Sequence, residues 1–310
     1  MARPATAVTT TALPLGDPVR GKVRDCYRHP GSRWGDALVI VSTDRISAFD
    51  WVLPSPIPDK GRVLTAISAC WFDLLASGPD PIAHHLLTTD VDAMDLPAGI
   101  DRGPLRGRTM LVRRADVIPF ECVVRGWLAG SGLAEYRRDG TICGIQLPGG
   151  LAPGDPNPEP IFTPATKAAS GHDENVSFET MVAALGAPLA ERLRTRSLDV
   201  YRRAAAHALD RGIVIADTKF EWGHGGGGAL LLVDEVLSPD SSRFWPAAAA
   251  GAGRVPESFD KQSVRDWLEG TGWDKASPPP PLPDDVVTRT RDTYLQICRT
   301  LTGGPPEGVA

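Results

Sequence analysis

The spacing of hydrophobic and polar residues changes period along the chain, and each change marks an element. Ala37–Ser42 (ALVIVS) is a continuous apolar run with polar neighbours, which predicts a buried strand. Leu53–Asp59 holds three prolines and is expected to be irregular. Leu64, Ile67, Trp71 and Leu74 recur at helical spacing, and Gly78 follows as a stop. Thr109–Arg114 and Cys122–Val124 read as strands on either side of a turn at Pro119, whereas the Gly- and Pro-rich stretch Leu147–Pro160 reads as a loop. The clearest helix is Leu189–Leu209, whose stripe of Leu189, Leu193, Val200, Tyr201, Ala204 and Ala208 ends at Gly212. Two strands follow, Ile213–Trp222 and Ala229–Leu237, joined by the link Gly223–Gly228. Helices are predicted over Lys261–Glu269 and, after the linker Pro278–Pro283, over Asp284–Leu301, with Val287, Tyr294, Ile297 and Leu301 on one stripe. Residues 1–14 are expected to form a frayed tail.

A chain of 310 residues fits two ordinary domains, or one large α/β body with a smaller lobe. Its 33 Lys and Arg against 38 Asp and Glu leave a net charge of −5, which lacks the footprint of a duplex nucleic-acid binder. No run approaches the roughly 20 apolar residues of a membrane helix, and the first residues, MARPATAVTTTA, lack the apolar core of a signal peptide. Five scattered cysteines without a C-x-x-C pair suggest reduced thiols and a cytoplasmic protein.

The chemistry concentrates after the long helix. In Asp217-Thr218-Lys219-Phe220-Glu221, strand alternation puts Asp217, Lys219 and Glu221 on one face. If Trp222 pairs with Ala229, Asp217 lies opposite Asp234, while a slip of one residue brings Glu235 there instead. Opposed carboxylates repel. An oxygen-only set relieved by a cation suits Mg2+ better than Zn2+, and the same face would also serve as a solvated surface neutralised by Lys219.

Anion-binding candidates lie elsewhere. Gly21-Lys22-Val23-Arg24-Asp25 could approach phosphates, although it is not a Walker A loop. Arg125-Gly126-Trp127-Leu128-Ala129-Gly130-Ser131-Gly132 precedes a short predicted helix whose free amides would accept an anion, or whose start Ser131 would cap. Arg243, after the turn at Ser238–Ser242, offers a planar fork for phosphate or carboxylate. His172 would titrate near neutrality.

In order along the chain stand GKVRD (Gly21–Asp25), STDRISAFD (Ser42–Asp50), ECVVRGWLAGSG (Glu121–Gly132), FTPATKA (Phe162–Ala168), GHDEN (Gly171–Asn175), ADTKFE (Ala216–Glu221), DEVLSPDSSRFWP (Asp234–Pro246) and FDKQ (Phe259–Gln262). With these runs the chain resembles the SAICAR synthetase family over roughly residues 15–302. The resemblance implies an α+β fold of two lobes related to ATP-grasp, a nucleotide-binding lobe over 15–118 and a larger lobe over 119–310, with ATP in the cleft between them. It implies a ligase that uses ATP to activate the carboxylate of carboxyaminoimidazole ribonucleotide as an acyl phosphate, which L-aspartate then attacks. Oligomeric state is expected between a monomer and a small homo-oligomer.

The same resemblance implies roles. Glu221 and Asp234 would hold Mg2+, Lys219 would touch the substrate carboxylate and the moving phosphoryl group, and Asp217 would support the imidazole and the metal shell, with His172 or Asp217 as the acceptor of the aspartate amine proton. Arg125, Ser131 and Arg243 would clamp the ribonucleotide, with Asp240 on its sugar hydroxyls. Gly21, Lys22, Arg24 and Lys167 would meet ATP phosphates, and Arg114–Glu121, including Val117, would form the adenine hinge with Glu121 at its end. Asp44, Ser47 and His172 are candidates for the aspartate pocket. Trp127 and Trp222 stand where the family more often has Tyr and Phe, but the charged set is intact. Two other readings share part of this pattern: another ATP-grasp-like carboxylate–amine ligase, and a nucleotide-binding module without catalysis. Retention of Lys219, Glu221 and Asp234 speaks against the second.

Overall fold

A computed structural model describes residues 6–29, 33–167 and 174–309. The N-terminal part is an antiparallel sheet in the order Val19–Arg20, Arg24–Arg28, Ala37–Ser42, Thr109–Arg113, Leu86–Thr88. The predicted strand Ala37–Ser42 lies at its centre, which is why both its faces are apolar. Residues 8–11, within the stretch expected to fray, are instead tied to this sheet and the turn after its central strand. The Val8 amide donates to Asp44 Oδ2 at 2.7 Å, the Thr11 amide donates to Asp25 Oδ2 at 2.8 Å, and Arg45 donates to the Thr9 carbonyl.

The larger sheet is built on one twelve-residue strand, Ile213–His224. It pairs with Phe120–Trp127, Ser242–Pro246, Leu230–Val233 and Asp116–Val117, all antiparallel. Pro156–Phe162 adds to the far side of Phe120–Trp127. This strand overlaps the end of the predicted loop Leu147–Pro160. Its three prolines lack amide hydrogens, so pairing holds only near its ends, across a register shift between Pro156 and Ile161, as suits an edge strand.

The helix Ala187–Leu209 packs against the long strand, burying Leu193, Val200, Tyr201, Ala204 and Ala208. A helix not read from the sequence, Phe178–Leu185, precedes it and is capped by Ser177, whose Oγ accepts from the Thr180 amide at 3.2 Å. Lys60–Ala76 and the C-terminal helix Asp284–Thr302 lie against each other. One continuous core runs from Ile40, Val63 and Trp71 through Phe120 and Phe220 to Tyr294 and Leu301, spanning both sheets. Each such large side chain buried contributes about 1.5–3 kcal/mol relative to exposure. No helix among the described residues is long and apolar enough to cross a membrane.

Candidate active site

Two adjoining cavities of about 290 and 220 Å3 open along the middle of the long strand, and Lys219, Asp240, Ser241 and Lys261 line both. The alternation expected of Asp217, Lys219 and Glu221 holds: Asp217 and Lys219 face the larger cavity, and Lys219 and Glu221 face the smaller.

The hairpin register differs from the expected one. Glu221 pairs with Val233 and Trp222 with Leu232, so the ladder to the following strand ends before it reaches Asp217. Asp217 instead has Arg125 on one side and Arg243 on the other. Its Oδ2 accepts from Arg125 Nη1 at 3.0 Å and from Arg243 Nη1 at 2.6 Å. Burial would push the Asp217 carboxyl up, but the two guanidiniums outweigh it and hold the group below its usual 3.8. A carboxylate so held is a structural anion and a poor proton acceptor.

Arg125 is fixed on every edge. Its Nε donates to Thr163 Oγ1 and its Nη2 to Ser131 Oγ, each at 3.0 Å, while Asn157 Nδ2 donates to its carbonyl at 3.0 Å. Ala129, not Ser131, stands at the N-cap of the helix Gly130–Asp139, and no side chain caps the first amides. Gly130 has φ 53°, and a Cβ there would lie 2.5 Å from the Arg243 guanidinium, so glycine lets Arg243 lie across the open helix start. Two arginines, a serine and uncapped amides suit a phosphate monoester.

The smaller cavity is lined by alternating charges. Gly21, Lys22 and Arg24 reach it from the N-terminal sheet and Ser47 from the separate hairpin of residues 47–52, opposite Glu221, Asp234 and Glu235. Arg24 Nη2 meets Asp234 Oδ2 at 2.6 Å and its Nη1 lies 3.3 Å from Glu235 Oε2. Lys167 meets Glu221 at 2.6 Å, Lys219 meets Glu121 at 2.5 Å, and Lys22 pairs with Asp50. Asp234 sits just past its strand with φ 65°, which turns it back into the cavity lined by Glu221. Burial pushes the Asp234 carboxyl up, Arg24 lowers it, and the Glu221 charge raises it again.

Among the described residues, no group of three or more His, Cys, Asp or Glu side chains is placed to hold a metal ion alone. Glu221 and Asp234 supply oxygens only, and the buried Glu235 Oε2 beside them accepts no hydrogen bond. That donor set fits Mg2+ that shares its coordination with phosphates. Next to it, Leu38, Ile40, Val112, Val117 and Val233 line a recess of about 100 Å3, together with Glu221 and Asp234.

Several expected placements change. Glu121 lies with Lys219 in the larger cavity and lines no part of the apolar recess, whereas Val117 does. Asp44 is wholly buried, accepting from Arg108 Nη1 at 2.8 Å and the Gly61 amide at 3.0 Å, so it braces the fold and faces neither cavity. Ser47 does line the smaller cavity. His172 lies outside the described residues. Lys261 and Arg265, which line the larger cavity, were missed as site residues. Lys261 stood in the FDKQ run, and its i+4 neighbour on the helix face is Arg265. Lys60 and Tyr294, both bonded to Asp240, were also missed, because a buried partner gives no local signal.

A family profile described as SAICAR synthetase matches residues 18–280. The chain belongs to the SAICAR synthetase family. The phosphoribosylaminoimidazole-succinocarboxamide synthase of Saccharopolyspora erythraea is 56% identical over 288 residues, covering 91% of this chain and 92% of that protein. The same-named protein of Rhodopirellula baltica is 50% identical over 316 residues, covering 96% of each. A solved structure titled SAICAR-synthase from Saccharomyces cerevisiae complexed SAICAR superposes with a TM-score of 0.85 at 37% identity, over 97% of this chain and 100% of that one. This family carries its activity with it. The chain is an ATP-dependent ligase of purine biosynthesis that joins L-aspartate to carboxyaminoimidazole ribonucleotide, and the readings as a different ligase or an inactive module fall away.

Proposed function

We propose that the two cavities divide the substrates, with the ribonucleotide in the larger and the ATP polyphosphate in the smaller. The observation that carries this division is the Arg125–Asp217–Arg243 cluster at an uncapped helix start in one cavity, with Lys219 shared between the two. The phosphate monoester lies on Arg125, Arg243, Ser131 and the helix amides, and Asp240 takes sugar hydroxyls. Its carboxylate then points toward Lys219. Adenine fits the apolar recess beside Val117, and the phosphates run past Gly21, Lys22, Arg24 and Lys167.

In the first step a substrate carboxylate oxygen attacks the γ-phosphorus, and the bond to the bridging oxygen breaks with its electron pair leaving on ADP. Lys219 screens the two approaching anions. Mg2+ on Glu221 and Asp234, when bound, neutralises charge on the phosphates. In the second step the neutral aspartate amine attacks the acyl carbon, phosphate departs with the bonding pair, and the departing phosphate takes up the proton that the amine gives up. Asp217, tied to two arginines, holds the clamp and is not the acceptor of that proton. The protein works in the cytoplasm on small molecules, as a monomer or small homo-oligomer.

Calorimetric titration tests the division. Arg243→Ala should weaken ribonucleotide binding by about tenfold to a hundredfold, as expected for a charge-assisted bond, and leave magnesium–ADP binding unchanged. Equal loss for both ligands would reject it.

A further inference from the structure

Asp240 lines both cavities, yet its own carboxylate is held from behind by two side chains distant in sequence. Lys60 Nζ donates to Oδ2 at 2.6 Å, and the Tyr294 hydroxyl donates to Oδ1 at 2.9 Å. The Lys60 and Tyr294 side chains have no solvent exposure, and that of Asp240 has 5%. Lys60 opens the helix Lys60–Ala76, and Tyr294 lies on the C-terminal helix. One turn earlier on that same helix, Arg291 forks onto Asp59, with Nε at 3.0 Å and Nη2 at 2.6 Å from Oδ2. The C-terminal helix therefore grips the Asp59–Lys60 pair and Asp240 together.

We propose that Tyr294 and Lys60 are positioning residues of the ribonucleotide site, fixing the Asp240 carboxylate as an oriented acceptor for substrate hydroxyls. The proposal rests on the reading that the larger cavity holds the ribonucleotide. An ionised carboxylate accepts about four hydrogen bonds. Each Asp240 oxygen already accepts one from behind, so each keeps a lone pair toward the cavity. Burial alone would push the Asp240 carboxyl up, but Lys60 and Lys261, with the bonds from Lys60 and Tyr294, hold it well below the usual range. The acceptor therefore stays charged, and Tyr294, facing a group that only accepts, must donate. The phenol also sets the direction. Phe at this position keeps the packing and removes only the bond to Oδ1, freeing the carboxylate to rotate about its last torsion, which is broad for Asp.

Steady-state kinetics of the full chain test this with Tyr294→Phe, Asp240→Asn and the double variant. Tyr294→Phe should raise KM for the ribonucleotide about tenfold, the scale of one hydrogen bond to a charged group. KM for ATP should stay within about twofold, and the thermal midpoint should move by only a few degrees. In the Asp240→Asn background the same change should add almost nothing, since its effect passes through the carboxylate. Equal increases in both KM values, or full additivity with Asp240→Asn, would reduce Tyr294 to a packing residue and overturn the proposal. If Asp240→Asn impairs the ribonucleotide KM and Tyr294→Phe does not, the positioning role fails while the cavity assignment stands. If neither variant changes it, Asp240 is not a ribonucleotide contact and both readings fail.

Discussion

The two cavities hold the same kinds of charge in different states. In the larger one the central ion pairs are buried and cross-braced: Arg125 and Asp217 are 4% and 7% exposed and share their bonds with Ser131, Thr163 and Arg243. At the smaller one, Lys22 of the lining is 52% exposed and pairs with Asp50, 42% exposed, and Glu221 of the lining pairs with Lys167, 41% exposed. A buried pair, once broken, leaves an uncompensated charge, and it holds its geometry for that reason. An exposed pair contributes roughly 0–1 kcal/mol and exchanges partners readily. On the division proposed above, the larger cavity is preformed for a ligand of fixed shape, while the exposed lysines at the smaller one would trade a carboxylate for a phosphate as the polyphosphate arrives and leaves.

Lys219 sits where the two regimes meet, and its removal should be the most damaging change. Lys219→Met should cut turnover by about a thousandfold or more, the scale for losing a group aimed at developing charge, while calorimetry still finds both ribonucleotide and nucleotide bound. Retained turnover would remove it from the chemistry.

The next largest effect belongs to the braced cluster. Asp217→Asn should lower stability by about 3 kcal/mol in denaturant melts, because it strands two arginines in a buried site. It should also lower ribonucleotide affinity about a hundredfold, two charge-assisted bonds at once. The native Asp217 carboxyl lies below its unfolded value near 3.8. Its contribution is therefore complete above that value and is lost as pH falls through the lower folded one. Melts between pH 7 and pH 3 should show a steeper acid loss for the native chain than for Asp217→Asn; parallel curves would show that Asp217 is not a linked group.

The smallest effect should come from the exposed pair. Asp50→Asn should shift the thermal midpoint by less than about 2 °C. By freeing Lys22 from its carboxylate it should tighten ATP binding modestly, about twofold, an effect that added salt should erase. A large loss of stability there would end the contrast between braced and exchangeable charge.

The long helices were legible because burial on one face leaves a periodic trace: Leu193, Val200 and Ala204 are buried as their spacing predicts, whereas the two-turn helix Phe178–Leu185 was too short to show one. The strand face of Asp217, Lys219 and Glu221 was legible for the same reason, as alternation is local geometry. The pairing of that strand was not. The expected opposition of Asp217 and Asp234 assumed that the hairpin closes at Trp222, but the strand continues through Gly223 and His224, and Asp217 finds arginines from two other strands. Asp44 misled in the opposite way. A polar run such as STDRISAFD reads as available for ligands, and only packing reveals that this carboxylate is consumed by Arg108 and the Gly61 amide. The prolines of Pro156–Phe162 suggested a loop because the sequence does not say whether a segment lies at a sheet edge, where missing amides are tolerated.

The sequence by itself determined the periodic elements, the order of the motifs and the inventory of carboxylates, lysines and arginines, because these depend on side-chain chemistry and spacing within a few residues. The tertiary structure alone decided which charge answers which. Lys60 and Asp240 are 180 residues apart and Arg24 and Asp234 are 210 apart, and no local preference links them. They meet because the buried faces of sheets and helices must pack together, and the polar groups carried inward by that packing must find partners or remain costly to bury.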